Sequence, residues 1–208
     1  EIEYAEDTCT SIYVKFKVSD DKGLLSQYCD LDKTYFVIWT TTTWTIPGNL
    51  AISLNPFFEY DFVKVPSGEI YVLAKELTAS VMAKAGIESW EVLATVLGSD
   101  LEMIQCRHPL YDRVSLVING EHVTLDAGTG CVHTAPGHGV EDFEVCRNYP
   151  QIPMLVPVDH KGILTADAGE FEGLTTNEAN KAIYAKLIEL NALFTSEKII
   201  HQYPHCWR

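Results

Sequence analysis

Apolar and polar positions alternate strictly over residues 11–18, with Ile12, Val14, Phe16 and Val18 on one side and Lys15 and Lys17 on the other. That is the period of a half-buried strand. Residues 35–40 form a short unbroken apolar run, which suits a central strand covered on both faces. Two hairpins follow from apolar stretches that flank turn residues: 60–74 around Pro66-Ser67-Gly68, and 114–125 around Asn119-Gly120. Helical periodicity is rarer. Residues 75–85 are good helix formers ending at Gly86, a suitable C-cap. Residues 176–191 place Ala179, Ile183, Leu187 and Leu190 on one stripe behind a Thr175/Glu178 capping box. A short helix is expected over 140–148. Many strands and few helices predict an α+β fold with a barrel-like core and a few peripheral helices. With no repeat, low-complexity tract or flexible linker, residues 1–208 read as one domain.

Composition narrows this picture. A chain of 208 residues, 47% hydrophobic, can bury a core without a disulfide or metal staple. No run approaches the ~20 apolar residues of a membrane span, and residues 1–20 do not read as a signal peptide. Six scattered cysteines (Cys9, Cys29, Cys106, Cys131, Cys146, Cys206) without a CxxC pair point to reduced thiols and a cytoplasmic protein. Against 15 Lys+Arg stand 29 Asp+Glu, a net charge of −14, which by itself argues against nucleic-acid binding.

Three segments carry candidate chemistry. Residues 40–49 leave the buried strand as four threonines, Thr40 to Thr43, then Trp44, Thr45 and a Pro47-Gly48 turn before Asn49. Buried hydroxyls need partners, so the run is either a cleft wall or an edge strand rich in β-branched residues. Residues 126–142 combine four glycines with His133, His138, Glu141 and Asp142. A metal site there lacks a second ligand set, and the third glycine of a dinucleotide loop is missing after Gly128-Thr129-Gly130. A polar pocket in which a carboxylate meets a cation is left, beside a solvated loop with helix-capping acids. The third segment, ending in His201, His205 and Cys206, reads as a connecting strand or as part of a zinc site.

The segments TTTTWTIPGNLAISLNP (40–56) and GTGCVHTAPGHGVEDFEV (128–145) together resemble the editing (CP1) domain inserted into isoleucyl-tRNA synthetases, a class I family. The opening SIYVKF and the ending HQYPHCWR resemble the strands by which such an insertion leaves and re-enters its parent chain. Valyl and leucyl relatives continue their threonine motif with Arg-Pro and an acid, so the isoleucyl pattern fits better, although most relatives carry Pro where this chain has Thr43. The resemblance implies hydrolysis of valine misattached to tRNA(Ile), and of valyl-adenylate. That amino-acid pair is itself the standard case of weak discrimination, one methylene being worth only ~1–3 kcal/mol.

The resemblance further implies a catalytic set of Thr40, Thr41, Thr42 and Asp142, with Asp142 taking the substrate ammonium. His133 would shape the side-chain sieve. Trp44 and Thr45 would complete the threonine wall, His138 would sit at the rim, and Asn49 would serve the same motif or merely stabilise a turn. No thiol carries an activating motif, so water is the expected nucleophile. No metal or other cofactor is expected in this domain. The implied partners are the 3′ end of tRNA(Ile) and the rest of a synthetase, which binds ATP; a monomer without membrane contact is expected. A non-catalytic module that docks the tRNA end is the alternative.

Overall fold

A computed structural model describes the backbone of residues 4–204 and the side chains of residues 10–198. Ten strands, β1 (Tyr4–Asp20), β2 (Thr34–Thr40), β3 (Ala51–Leu54), β4 (Glu59–Lys64), β5 (Ile70–Ala74), β6 (Glu91–Leu97), β7 (Gln105–Arg107), β8 (Val114–Asn119), β9 (Cys131–Thr134) and β10 (Leu193–Pro204), form one sheet. Its order is β10-β1-β7-β8-β3-β9-β2-β5-β4-β6, and a further β1–β2 pairing closes six strands, β1, β7, β8, β3, β9 and β2, into a barrel. The length of β1 makes closure possible. Its first part pairs with β10, residues 12–17 with β2, and Val18 and Asp20 with β7. The three short helices are α1 (Thr78–Lys84), α2 (Val140–Cys146) and α3 (Thr176–Glu189).

The strands expected over 11–18 and 35–40 and the hairpin over 60–74 are present. In β1, Ile12, Val14 and Phe16 point into the barrel with Phe36, Ile38, Ile52 and Val117. On the other face of β1 Lys17 is exposed, as the alternation predicts, but the residues before it are covered. Tyr13 and Val37 pack there with Tyr71, Leu73, Val81 and Met82. Lys15 is buried beside them, its ammonium 3.0 Å from Glu69 and over the Tyr35 ring.

The hairpin expected at Asn119-Gly120 does not form. A two-residue type I′ turn needs positive φ at both central residues, and neither residue has it. The Gly120 N–H donates to Leu54 O (2.8 Å), the Asn119 N–H donates to the Tyr149 hydroxyl (2.9 Å), and residues 121–130 leave the sheet as a loop. Strand β8 pairs instead with β7 and, in parallel, with β3.

Helix α3 has the full capping box: the Glu178 N–H donates to Thr175 Oγ1 and the Thr175 N–H to Glu178 Oε1. It buries Ala179, Ile183 and Leu187, but Leu190 falls after the last turn and is exposed. Cys29, Cys106, Cys131 and Cys146 are free thiols. Cys9, Cys206, and the side chains of His201 and His205 lie outside the described residues. The connecting strand expected near the C-terminus is β10, as far as Pro204.

Candidate functional site

The threonine segment starts where β2 ends. The Thr40 hydroxyl accepts the Thr42 N–H (3.0 Å), a local bond that competes with the ladder and turns the chain out of the sheet. Residues Thr43–Gly48 then form a 3-10 helix. This helix is held at both ends. At its start the Trp44 N–H donates to Asn180 Oδ1 of α3 (2.9 Å), and the Thr45 hydroxyl donates to Thr42 O (2.8 Å). At its end His108 Nε2 donates to Ile46 O (2.8 Å) and Arg113 Nη2 to Pro47 O. Because His108 Nδ1 accepts the Leu110 N–H, its proton sits on Nε2. Burial lowers the His108 pKa to about 3. His138, from the turn before α2, packs against this helix and lies edge-on to Trp44 with centroids 5.1 Å apart. A Cβ on Gly48 would sit 2.7 Å from His138 Nε2, so only glycine allows this approach.

His133, on β9, faces the same helix from inside the barrel. Asn49 Nδ2 donates to His133 Nδ1 (2.8 Å), and Asn49 Oδ1 accepts from Ser115 (2.6 Å). An amide nitrogen only donates, so Nδ1 is the acceptor and the imidazole proton sits on Nε2. That proton is given to Thr45 Oγ1 at 2.8 Å, whose own hydrogen goes to Thr42 O. One directed chain thus runs Ser115, Asn49, His133, Thr45, Thr42. Burial, reinforced by His138, lowers the His133 pKa to about 3. The ring is neutral at physiological pH and both nitrogens are engaged, so it is a fixed wall rather than a base.

The facing wall comes from the loop before β9 and from α2. Gly130, at φ +80°, lies where a Cβ would come within 2.5 Å of Ala74 Cβ, so the loop lies tight against β5. Asp142, in the first turn of α2, accepts the Ala135 N–H on Oδ2 (2.9 Å). Its Oδ1 has no donor among the described residues. Burial raises the Asp142 pKa, partly offset by the Ala135 N–H and by His122.

Between the walls lies a cavity of about 540 Å³. Thr40, Thr41, His133 and Asp142 border it, together with Trp39, His122, Asp126 and Glu141. Thr42, Trp44, Thr45, Asn49 and His138 do not border it; they lie behind the threonine wall, bonded or packed as described above. Trp39 and His122 were missed from the sequence. Trp39 reads as strand core, and His122 was hidden inside the expected hairpin. Cys131 also borders the cavity, but burial pushes its thiol well up and leaves no thiolate nucleophile. Among the described residues no group of three or more His, Cys, Asp or Glu is placed to hold a metal ion. No helix among them is long and apolar enough to cross a membrane.

Comparison with known proteins connects this geometry to a family. No family model matches the chain. It is 57% identical over 209 aligned residues to an isoleucine–tRNA ligase of Caldicellulosiruptor saccharolyticus, 58% to that of Caldicellulosiruptor bescii and 50%, over 208, to that of Geobacillus thermodenitrificans. Each alignment covers 100% of this chain and 22% of the relative, so the chain spans about a fifth of the length of these proteins.

The fold is shared with a solved structure described as GlLeuRS-CP1 (TM-score 0.69, 17% identity, 88% of this chain and 97% of that one). It is also shared with the editing domain of the Plasmodium falciparum cytosolic leucyl-tRNA synthetase (TM-score 0.69, 10% identity, 94% and 99%). The closed barrel with added strands and few helices is the architecture of those domains. By sequence and by fold, the chain belongs to the isoleucyl-tRNA synthetase family, as the segment with the CP1 editing-domain fold.

Proposed function

We propose that the cavity is a hydrolytic editing site for valine misattached to the terminal adenosine of tRNA(Ile), as part of a cytoplasmic isoleucyl-tRNA synthetase. The observation that carries this reading is Asp142: a partly desolvated carboxylate on the cavity wall, one oxygen fixed by the Ala135 N–H and the other open. An aminoacyl ester presents a free ammonium, and an open carboxylate in such a place binds it with a charge-assisted hydrogen bond. That bond sets the amino acid's orientation. Its side chain then meets His133, which the Asn49 and Thr45 bonds hold in one position. A rigid wall of this kind can admit one side chain and exclude another that is longer by a methylene.

Hydrolysis needs a water to attack the ester carbon. The water oxygen bonds to the acyl carbon, the bond between that carbon and the ribose oxygen breaks, the ribose oxygen leaves with a proton, and valine departs as its carboxylate. The Thr40 and Thr41 side of the cavity supplies polar groups for the carbonyl oxygen and for the water, and their contribution is positioning and stabilisation of developing negative charge. Thr42 acts through its carbonyl, which holds Thr45. Trp44, Asn49 and His138 are positioning residues for the threonine wall. The acidic surface, with Asp126 and Glu141 beside the cavity, suits a domain that meets only the tRNA terminus while the rest of the synthetase holds the tRNA body.

Soaking crystals with a non-hydrolysable valyl-adenosine analogue tests the reading. Its ammonium is expected on Asp142 and its carbonyl beside Thr40 and Thr41. An empty cavity would instead favour a module that only docks the tRNA end.

A further inference from the structure

The 3-10 helix behind the threonine wall is capped from a distant part of the chain. The first N–H groups of a helix have no partner inside it, and the residue at the N-cap normally supplies one. Thr42, at the cap of the Thr43–Gly48 helix, makes no such bond with its side chain. Asn180 makes it instead: its Oδ1 accepts the Trp44 N–H at 2.9 Å, from 136 residues away in sequence. A backbone N–H only donates, so the Asn180 amide presents its oxygen there. Asn180 sits inside α3, directly after the buried Ala179, where asparagine is a poor helix former. Its place is explained by the segment that α3 packs along rather than by α3 itself. At the other end of the 3-10 helix two donors, His108 and Arg113, share the task.

Resting on the editing reading above, we infer that Asn180 is a positioning residue for hydrolysis and for the choice between valine and isoleucine. The route from α3 to the cavity is short. Holding the Trp44 N–H fixes the first turn of the 3-10 helix, between Thr42 and Thr45. The Thr42 N–H donates to the hydroxyl of Thr40, which borders the cavity. The Thr42 carbonyl accepts both the N–H and the hydroxyl of Thr45, and Thr45 in turn accepts the His133 Nε2 proton. One bond from α3 therefore bears on the hydroxyls near the ester and on the imidazole that faces the amino-acid side chain. Asp142 is independent of it, standing on the other wall with its Oδ2 held by the Ala135 N–H. Loss of the Asn180 bond shifts the threonines and His133 but spares the ammonium contact, so its signature is a lower kcat and weaker discrimination at an unchanged KM.

Steady-state deacylation of valyl- and isoleucyl-tRNA(Ile) by the complete synthetase tests the inference in three forms: unsubstituted, Asn180→Ala and Asn180→Asp. Alanine removes the acceptor, whereas aspartate keeps an oxygen in its place. In Asn180→Ala the kcat for valyl-tRNA should fall about 3- to 10-fold, the usual size of one net hydrogen bond, with KM unchanged. The preference for valine over isoleucine should shrink by a similar factor, and Asn180→Asp should restore both. An unchanged kcat and preference in Asn180→Ala overturn the assignment. So does a general loss, in which KM rises or Asn180→Asp is as impaired as Asn180→Ala, because that marks Asn180 as scaffold alone. Either result leaves the editing reading intact. Failure of the unsubstituted synthetase to deacylate valyl-tRNA overturns both.

Discussion

The two walls of the cavity are built on opposite plans. On the threonine side one continuous chain of polar atoms is committed to other protein atoms: Ser115 to Asn49, Asn49 to His133, His133 to Thr45, Thr45 to Thr42, with Asn180, His108 and Arg113 closing the ends of the 3-10 helix. On the α2 side, Asp142 has an oxygen without a donor and His122 a nitrogen without a partner. The first wall is a template whose shape does not depend on a ligand. The second keeps a carboxylate oxygen of Asp142 that no described residue engages. A sieve needs the first property and a binding site the second, and this barrel assigns them to different elements.

The contrast predicts opposite signs for substitutions in the two walls. The largest effect is expected for Asn49→Ala, which leaves His133 Nδ1 and the Ser115 hydroxyl buried and unpaired. Unpaired buried groups cost ~1–3 kcal/mol each, so the melting temperature should fall by about 5–15 °C in calorimetry. An unchanged melting temperature would mean that the bonded chain does not hold the wall.

Acid attacks the same wall. His108 and His133, both held near pKa 3 against an ordinary 6.5, are neutral in the fold and charge on unfolding. Their stabilisation is complete above pH 6.5 and is lost as pH falls from there toward 3. Unfolding followed across that window should take up the protons of His108 and His133, with a further share from His138, and His133→Gln should remove one of them.

The open wall gives the smallest effect, with the reverse sign. Burial raises the Asp142 pKa, so its charged form destabilises the empty site at neutral pH. Asp142→Asn keeps an acceptor for the Ala135 N–H and should raise the melting temperature by roughly 1–3 °C near pH 7. That gain should vanish as pH drops through the raised pKa, where the native carboxyl is itself neutral. Destabilisation at pH 7 would place Asp142 in the committed class and erase the distinction between the walls.

Much of this was legible in local pattern. The alternation in β1, the apolar run of β2 and the Thr175/Glu178 box each report on neighbours close in sequence, and the motifs around Thr40 and Asp142 carried the family. Features decided by distant partners were not legible. Lys15 is buried because Glu69 and the Tyr35 ring cover it. Asn119-Gly120 is no hairpin because Leu54 and Tyr149 take its amide hydrogens. β9 is four residues of a glycine-rich loop made into a strand by β3 and β2. The same limit applies at the site. Asp142 and His133 were named from their motif, whereas His122 depended on the misread turn, and the place of Asn49 depended on Ser115, 66 residues away.

The central claim is that Asp142 anchors a misattached aminoacyl group for hydrolysis. Deacylation of valyl- and isoleucyl-tRNA(Ile) by the complete synthetase, with and without Asp142→Ala, measures it most directly. The account predicts that the unsubstituted enzyme clears valine and spares isoleucine. In the variant, valine deacylation should fall roughly 100-fold, the scale of an unpaired buried ionic contact, while isoleucine activation is unchanged. Valine deacylation at the unsubstituted rate in Asp142→Ala would contradict it.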